Sequence, residues 1–497
     1  VKSVDWPVFS LSVALIALAA IPLTLYPEIS GEKITLLYDW LALHLGPVYL
    51  WAGAATLGFT LYMAFGPFGG VILGAGPDDR EFGDASWFAM LFCAGIASGL
   101  MYWGVIEWAY YYKSPPFGAE VGSHEGIHWA TSYPLFHWGF TAWAFYALPT
   151  LAVAHACHRR NEPSYRLSGA CRSILGDQSD GMIGRLIDVL FMVGILGGAS
   201  TSLGLSTPMI AEGLAELSGV VRSFGVDVGI LLGCSAIFAT SVYLGLQRGI
   251  RILSNLNLLL ALLLILAILI SGDTLFILKM STSAVGHMLT NFFQMNLWTD
   301  PILQTGFVED WTVFYWAWWI AYAPFVGLFV ARISRGRSIR QIVLGMLLLG
   351  SGGSWIFMMV LGNYGLSLEL SQQLPVIALL DENGGPATII AIISSLPLGK
   401  FGLAVFCLVA LIYLATTFDS AAYTLAASAS RGLGPQGDPP RGHRTFWAIA
   451  LAVLPIVLMS IGGLKSLQTA SLVVSVPLLA VGCLLAISLL RSLREDS

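Results

Sequence analysis

Charge is scarce in this 497-residue chain. Only 11% of its residues are Asp, Glu, Lys or Arg, against about 25% in ordinary soluble domains. That argues against a soluble enzyme and against a disordered or coiled-coil protein. The net charge of -5 gives no reason to expect nucleic acid as a partner. Cysteine is sparse too. The six are Cys93, Cys157, Cys171, Cys234, Cys407 and Cys483, with no CxxC pair. Most lie in apolar runs, where a thiol acts as a small hydrophobe, so neither a disulfide framework nor a metal cluster is expected. A cleavable leader is missing: the first apolar run, 6–26, is long enough to span and lacks a basic flank. No nucleophile–base pair or phosphate loop appears, so the chain reads as a non-enzyme without an organic cofactor.

What the chain has is hydrophobic length. It is 56% hydrophobic, with a mean hydropathy of +0.77. A membrane helix needs about 20 apolar residues, and polar punctuation leaves twelve expected spans. They are 6–26, 47–74, 87–112, 128–157, 183–216, 227–247, 250–271, 308–333, 339–364, 401–430, 445–464 and 467–491. Two further segments, 274–298 and 374–398, are amphipathic and are expected to lie along the membrane surface. With the N-terminus inside, 18 of the 24 Lys and Arg residues fall in cytoplasmic segments and six outside. The positive-inside rule therefore puts both termini in the cytoplasm. No soluble output domain is expected, which sets a sensor or receptor aside.

Three spans depart from smooth Leu, Ile and Val. The third carries Ala94-Gly95-Ile96-Ala97-Ser98-Gly99-Leu100, where small residues permit either close packing or an unwound stretch. The eighth holds four Trp and two Tyr between Trp311 and Tyr322. They cannot all sit at one membrane boundary, so some face inward, and Pro324 favours a break. The fourth carries Trp138, Trp143 and Tyr146. On a continuous helix these rings can line one cavity or form a packing stripe. Inward-facing rings make an aromatic cage, which holds a quaternary ammonium by cation–π attraction of about 2 kcal/mol or more when desolvated. Of the ionisable residues in spans, Glu107 and Asp188 read as structural and His137 as facing a neighbouring helix. Asp419 is placed to tune a nearby site.

The run Trp311-Thr312-Val313-Phe314-Tyr315-Trp316-Ala317-Trp318-Trp319, followed by Ala331-Arg332-Ile333-Ser334-Arg335-Gly336-Arg337, resembles the signature of the betaine–choline–carnitine transporters. Phe136-His137-Trp138-Gly139, Lys113-Ser114-Pro115-Pro116-Phe117 and Gly245-Leu246-Gln247-Arg248-Gly249-Ile250 resemble other family segments. The likeness runs from the first span to the twelfth. It implies an all-α membrane protein with a LeuT-type core of two inverted five-helix repeats, spans 3–7 and 8–12. That makes one transporter domain over 1–497, with two extra helices in 1–80, the first repeat in 81–272 and the second in 273–497. It also implies a homotrimer in a bacterial-type inner membrane, carrying a small zwitterionic onium such as glycine betaine, carnitine or dimethylsulfoniopropionate. The family's aromatic box matches Trp138, Trp143, Tyr146 and Trp319, with Trp318 beside it. Trp311, Trp316 and Tyr322 fall on the substrate pathway. Ala97 and Ser98 depart from the glycine-rich third-span motif of betaine symporters, and Ser98 can donate to a substrate carboxylate or hydroxyl.

The resemblance leaves two couplings open, sodium symport and cation-independent exchange. One sodium site of the symporters matches the hydroxyls of Thr416 and Thr417, with carbonyls near Ala94 and Ile96. A second matches hydroxyls within Ala199-Ser200-Thr201-Ser202, chiefly Ser202, and the ring of Phe325. Carnitine exchangers fill the first site with a span-seven Arg; the matching position here is the neutral Asn257. The expected reading is Na⁺ symport, with the exchanger as alternative.

Overall fold

In a computed structural model the chain is almost wholly helical, as a sequence of long apolar runs requires when every backbone group must be satisfied within the membrane. The structure describes residues 3–94, 98–163, 165–244, 247–397, 399–431, 433, 438–461 and 463–496. Eleven helices are long and apolar enough to cross a membrane, or twelve when the bent pair Asp84–Ala94 and Ser98–Lys113 counts as one. The protein is an all-α, multi-span membrane protein. The pieces of the third span meet at 59° across residues 95–97, which lie outside the described residues. The fourth span is also interrupted. His124–His137 ends at Trp138, Gly139 leaves helical geometry at φ -102 and ψ -143, and Phe140–His158 resumes. The eighth begins as a π-helical stretch, Val308–Val313, and continues as Phe314–Ile333 without a break at Pro324.

Two expectations are corrected. The second span does not begin at residue 47. It is a single helix, Pro27–Phe65. Glu28, Glu32, Lys33 and Asp39 make its first half too polar for a hydropathy reading, yet that half has a partner: Lys465 Nζ lies 3.2 Å from Asp39 and 3.9 Å from the centre of the Tyr38 ring. Residues 66–74, expected to be its end, instead form a turn and a short strand. The segment 374–398 contains a helix, Val376–Ser394, that is apolar enough to count among the eleven. Gly384, at φ 76 and ψ 175, divides it.

Two small antiparallel ladders staple the loops. Ser3–Val4 pairs with Ser430–Arg431, and Ile72–Leu73 pairs with Arg337–Ser338. Ion pairs reinforce both. Asp5 accepts from Arg431 at 2.7 Å and from Arg166 at 3.2 Å. Arg335 donates to Asp79 at 2.8 Å. That hydrogen bond holds the Asp79 carboxyl below its ordinary range, so the strap persists at neutral pH and is lost only on acidification through that lowered range. Arg337 is buried. It donates to Asp84 at 2.7 Å and to the Phe82 carbonyl at 3.0 Å, with its guanidinium 4.1 Å from the centre of the Trp87 ring. Arg337→Met should therefore lower stability by about 1–3 kcal/mol, read as a reduced thermal unfolding midpoint in detergent. An unchanged midpoint would show that this strap carries no weight.

Candidate functional site

A cavity of about 970 Å³ lies among the third, fourth, fifth, eighth and tenth spans. Trp138, Trp143, Tyr146, Trp318 and Trp319 all line it, and none is more than 7% exposed. The rings meet edge to face. Trp138 and Trp319 centroids are 4.7 Å apart at 71°, Trp143 and Tyr146 5.4 Å at 84°, and Tyr146 and Trp319 6.0 Å at 81°. Trp318 stacks on Trp319 at 4.8 Å.

The break in the fourth span explains how these rings are held. The last four carbonyls of a helix have no partner within it. Here the Pro134 carbonyl takes the Trp138 N–H and the Phe136 carbonyl takes the Gly139 N–H. The other two accept from indoles: Leu135 from Trp355 Nε1 at 2.7 Å, and His137 from Trp319 Nε1 at 2.8 Å. Trp318 Nε1 donates to the Gly198 carbonyl at 3.1 Å. Trp138 Nε1 donates to Glu107 Oε2 at 2.8 Å. With their polar edges engaged, Trp138, Trp318 and Trp319 offer the cavity their faces. Gly350 makes room behind them, because a Cβ there would fall on the Trp143 indole.

Glu107, read from sequence as a structural residue, is tied to this site. It is fully buried. Besides Trp138, its carboxylate accepts from Tyr315 at 2.6 Å and from Tyr111 at 2.7 Å. His137 faces its neighbours as expected, with Nδ1 2.8 Å from Tyr111 and Nε2 3.1 Å from Thr312. The signal for Glu107 was present in the sequence: a lone carboxylate in an apolar run is costly in a membrane and calls for partners.

Other expected residues are brought to the same cavity. Ala94, Ser202, Tyr322, Phe325, Thr416 and Thr417 line it. Both Thr hydroxyls donate to the Tyr413 carbonyl, at 3.0 and 2.9 Å, which leaves their lone pairs available. Thr201 instead donates to the Leu467 carbonyl, and Ser200 donates back along its own helix. Ser98 is buried away from the cavity wall, and its hydroxyl has no partner among the described residues. Ile96 and Ala97 lie outside the described residues.

Three residues sit elsewhere than expected. Trp316 is off the cavity, packed on Phe136 and Phe145 and close to Gly53 of the second span. Trp311 is also off it, against Trp103, Tyr110 and Tyr111. Asn257 is buried with neither amide atom hydrogen-bonded among the described residues. Ser254, Asn255 and Leu258 are the span-seven residues on the cavity wall. The cavity's charged rim comprises Arg332, which donates to Tyr423 at 2.9 Å, and Arg444, 3.3 Å from Asp419. Among the described residues, no group of three or more His, Cys, Asp or Glu could hold a metal ion.

A many-span helical protein with an aromatic-walled cavity among its helices is the frame of a small-molecule carrier. The chain belongs to the BCCT, or betaine/carnitine/choline, family of transporters, whose model matches residues 7–497. It is 35% identical over 441 residues to an uncharacterized transporter, YeaV, of Escherichia coli K12, covering 88% of this chain and 91% of the relative. It is 34% identical over 472 residues to a carnitine transporter of Acinetobacter baumannii, covering 94% and 85%. The relatives are transporters, which points to a carrier.

The site's packing is testable without a ligand. Gly350→Ala should cost about 1–3 kcal/mol by overpacking against Trp143. Gly352→Ala, where a Cβ meets nothing within 4 Å, should leave the thermal midpoint unchanged. Equal midpoints for the two variants would contradict the close fit at Trp143.

Proposed function

We propose that the protein imports a betaine-type onium zwitterion, of the glycine betaine, carnitine and dimethylsulfoniopropionate class, by Na⁺ symport and alternating access. One observation carries the substrate reading. Trp138, Trp143, Tyr146 and Trp319 surround one end of the cavity with indole N–H groups of Trp138 and Trp319 already bonded elsewhere. Those indoles present ring face, which attracts a diffuse cation and offers no acceptor for an N–H; the Tyr146 phenol oxygen is the one acceptor among the four rings. A trimethylammonium group fits that chemistry better than a primary amine does. The relative named a carnitine transporter supports the same class.

Symport is supported by the paired oxygens of Thr416 and Thr417, which line the same cavity as Ala94. Na⁺ in a membrane interior must be coordinated by oxygen, because it loses its hydration there. Among the described residues, the cavity-lining side chains of span seven, Ser254, Asn255 and Leu258, carry no charge. Ser202 and Phe325 are the candidates for a second ion. The bias of Lys and Arg supports a plasma-membrane orientation with both termini cytoplasmic, so that the cavity, with Arg332 and Arg444 at its rim, opens inward. Family membership supports the two-repeat arrangement and a homotrimer.

Two experiments test this reading. Trp319→Leu should weaken onium binding about ten- to a hundredfold in a folded protein, measured by calorimetry with carnitine and glycine betaine. Unchanged affinity removes Trp319 from the site. In proteoliposomes, uptake should require Na⁺, and Thr416→Val combined with Thr417→Val should abolish or greatly weaken that dependence while onium binding persists. Uptake equal in K⁺ and Na⁺ would replace symport with exchange.

A further inference from the structure

We infer that Glu107 is the counter-charge of the aromatic cage: its carboxylate makes the ring of Trp138 a better host for a cation. The inference rests on the onium reading and goes beyond it, because the cage as read from sequence contains no anion.

A fully buried carboxylate in a membrane span is expensive and persists where donors or charges compensate it. Here the compensation comes from Trp138 Nε1 and Tyr315 on Oε2, and from Tyr111 on Oε1. His137 Nδ1 is 3.6 Å from Oε1, but it is engaged by Tyr111. Of the three donors, Trp138 is part of the cage wall, whereas Tyr315 is off the cavity and packs against that wall. Tyr315 lies 5.6 Å from Trp319 at 33° and 6.0 Å from Trp138. An N–H or O–H that donates to an anion shifts electron density into its ring. A richer ring face attracts a cation more strongly, since cation–π attraction is electrostatic. Glu107 thus acts on the substrate through the rings and is a positioning and polarising residue.

A purely architectural role would hold the same rings without favouring charge, and the two roles separate cleanly. Glu107→Gln keeps the side chain's shape. Its amide oxygen can take the place of Oε2 and accept from Trp138 and Tyr315, while its NH₂ meets Tyr111. Tyr111, which donates its one O–H to Oε1 in the wild type, then accepts from that NH₂ and donates to His137 Nδ1, with the imidazole proton on Nε2. Shape and bond count are kept and the charge is lost.

The test compares each onium with its neutral-headed carbon isostere. The pairs are carnitine with 3-hydroxy-5,5-dimethylhexanoate, and glycine betaine with 3,3-dimethylbutanoate, titrated by calorimetry into purified protein. Wild type should prefer the onium. Glu107→Gln should weaken onium binding about three- to tenfold and leave the isostere unchanged. Equal losses for both members of a pair, or no loss for either, overturn the inference. Should Glu107→Gln fail to fold, 3-benzothienylalanine in place of Trp138 carries the test, because it keeps the fused ring and lacks the N–H that the carboxylate holds. The onium-to-isostere preference must fall, and an unchanged preference overturns the inference. Wild type that favours neither onium over its isostere removes the proposed substrate class and this inference together. A wild-type preference that survives Glu107→Gln removes this inference alone.

Discussion

An indole or phenol inside a membrane has one polar edge, and at Trp138, Trp318 and Trp319 that edge has found an acceptor. Water is not available there to supply one, and an unmet N–H costs several kcal/mol. This requirement orients the cavity wall. Trp319 reaches the His137 carbonyl, Trp318 the Gly198 carbonyl and Trp138 the Glu107 carboxylate. Once those bonds are made, the ring planes are fixed and their faces are presented to the cavity. The same requirement explains why the fourth span is broken where it is. The interruption at Trp138 and Gly139 leaves carbonyls that a continuous helix would have used, and Trp319 and Trp355 take them. Backbone irregularity and aromatic content are two sides of one arrangement.

The arrangement draws on distant parts of the chain. Glu107 is in the third span, Trp138 in the fourth and Tyr315 in the eighth, and Gly350 in the ninth gives Trp143 its space. Any relative movement of the third and eighth spans must carry or break the Glu107–Tyr315 bond. Binding chemistry and conformational change therefore share residues.

Much of this was legible in the sequence. Long apolar runs gave most span positions to within a few residues. The density of Trp and Tyr in the fourth and eighth spans marked the cage, because aromatic residues in such number cannot all serve as boundary anchors. The hydroxyl pair Thr416 and Thr417 and the cavity position of Phe325 followed from family resemblance. What escaped depends on contacts across many residues or on which way a side chain turns. Glu107 looked structural because its partners are 31 and 208 residues away. Asn257 and Leu258 are adjacent, and only the packed structure shows that Leu258 is the one on the cavity. Trp316 shares the motif of Trp318 and Trp319 but turns toward the second span. The polar first half of Pro27–Phe65 hid a continuous helix from any reading based on hydropathy.

The central claim is that ring faces, not ion pairs, hold the substrate's cationic end. A cryo-electron microscopy map of the protein with carnitine tests it most directly. The account predicts the quaternary nitrogen within about 6 Å of the ring centroids of Trp138, Trp143, Tyr146 and Trp319. Carnitine bound with that nitrogen against a carboxylate at the rim, such as Asp419, and the four rings vacant would contradict it.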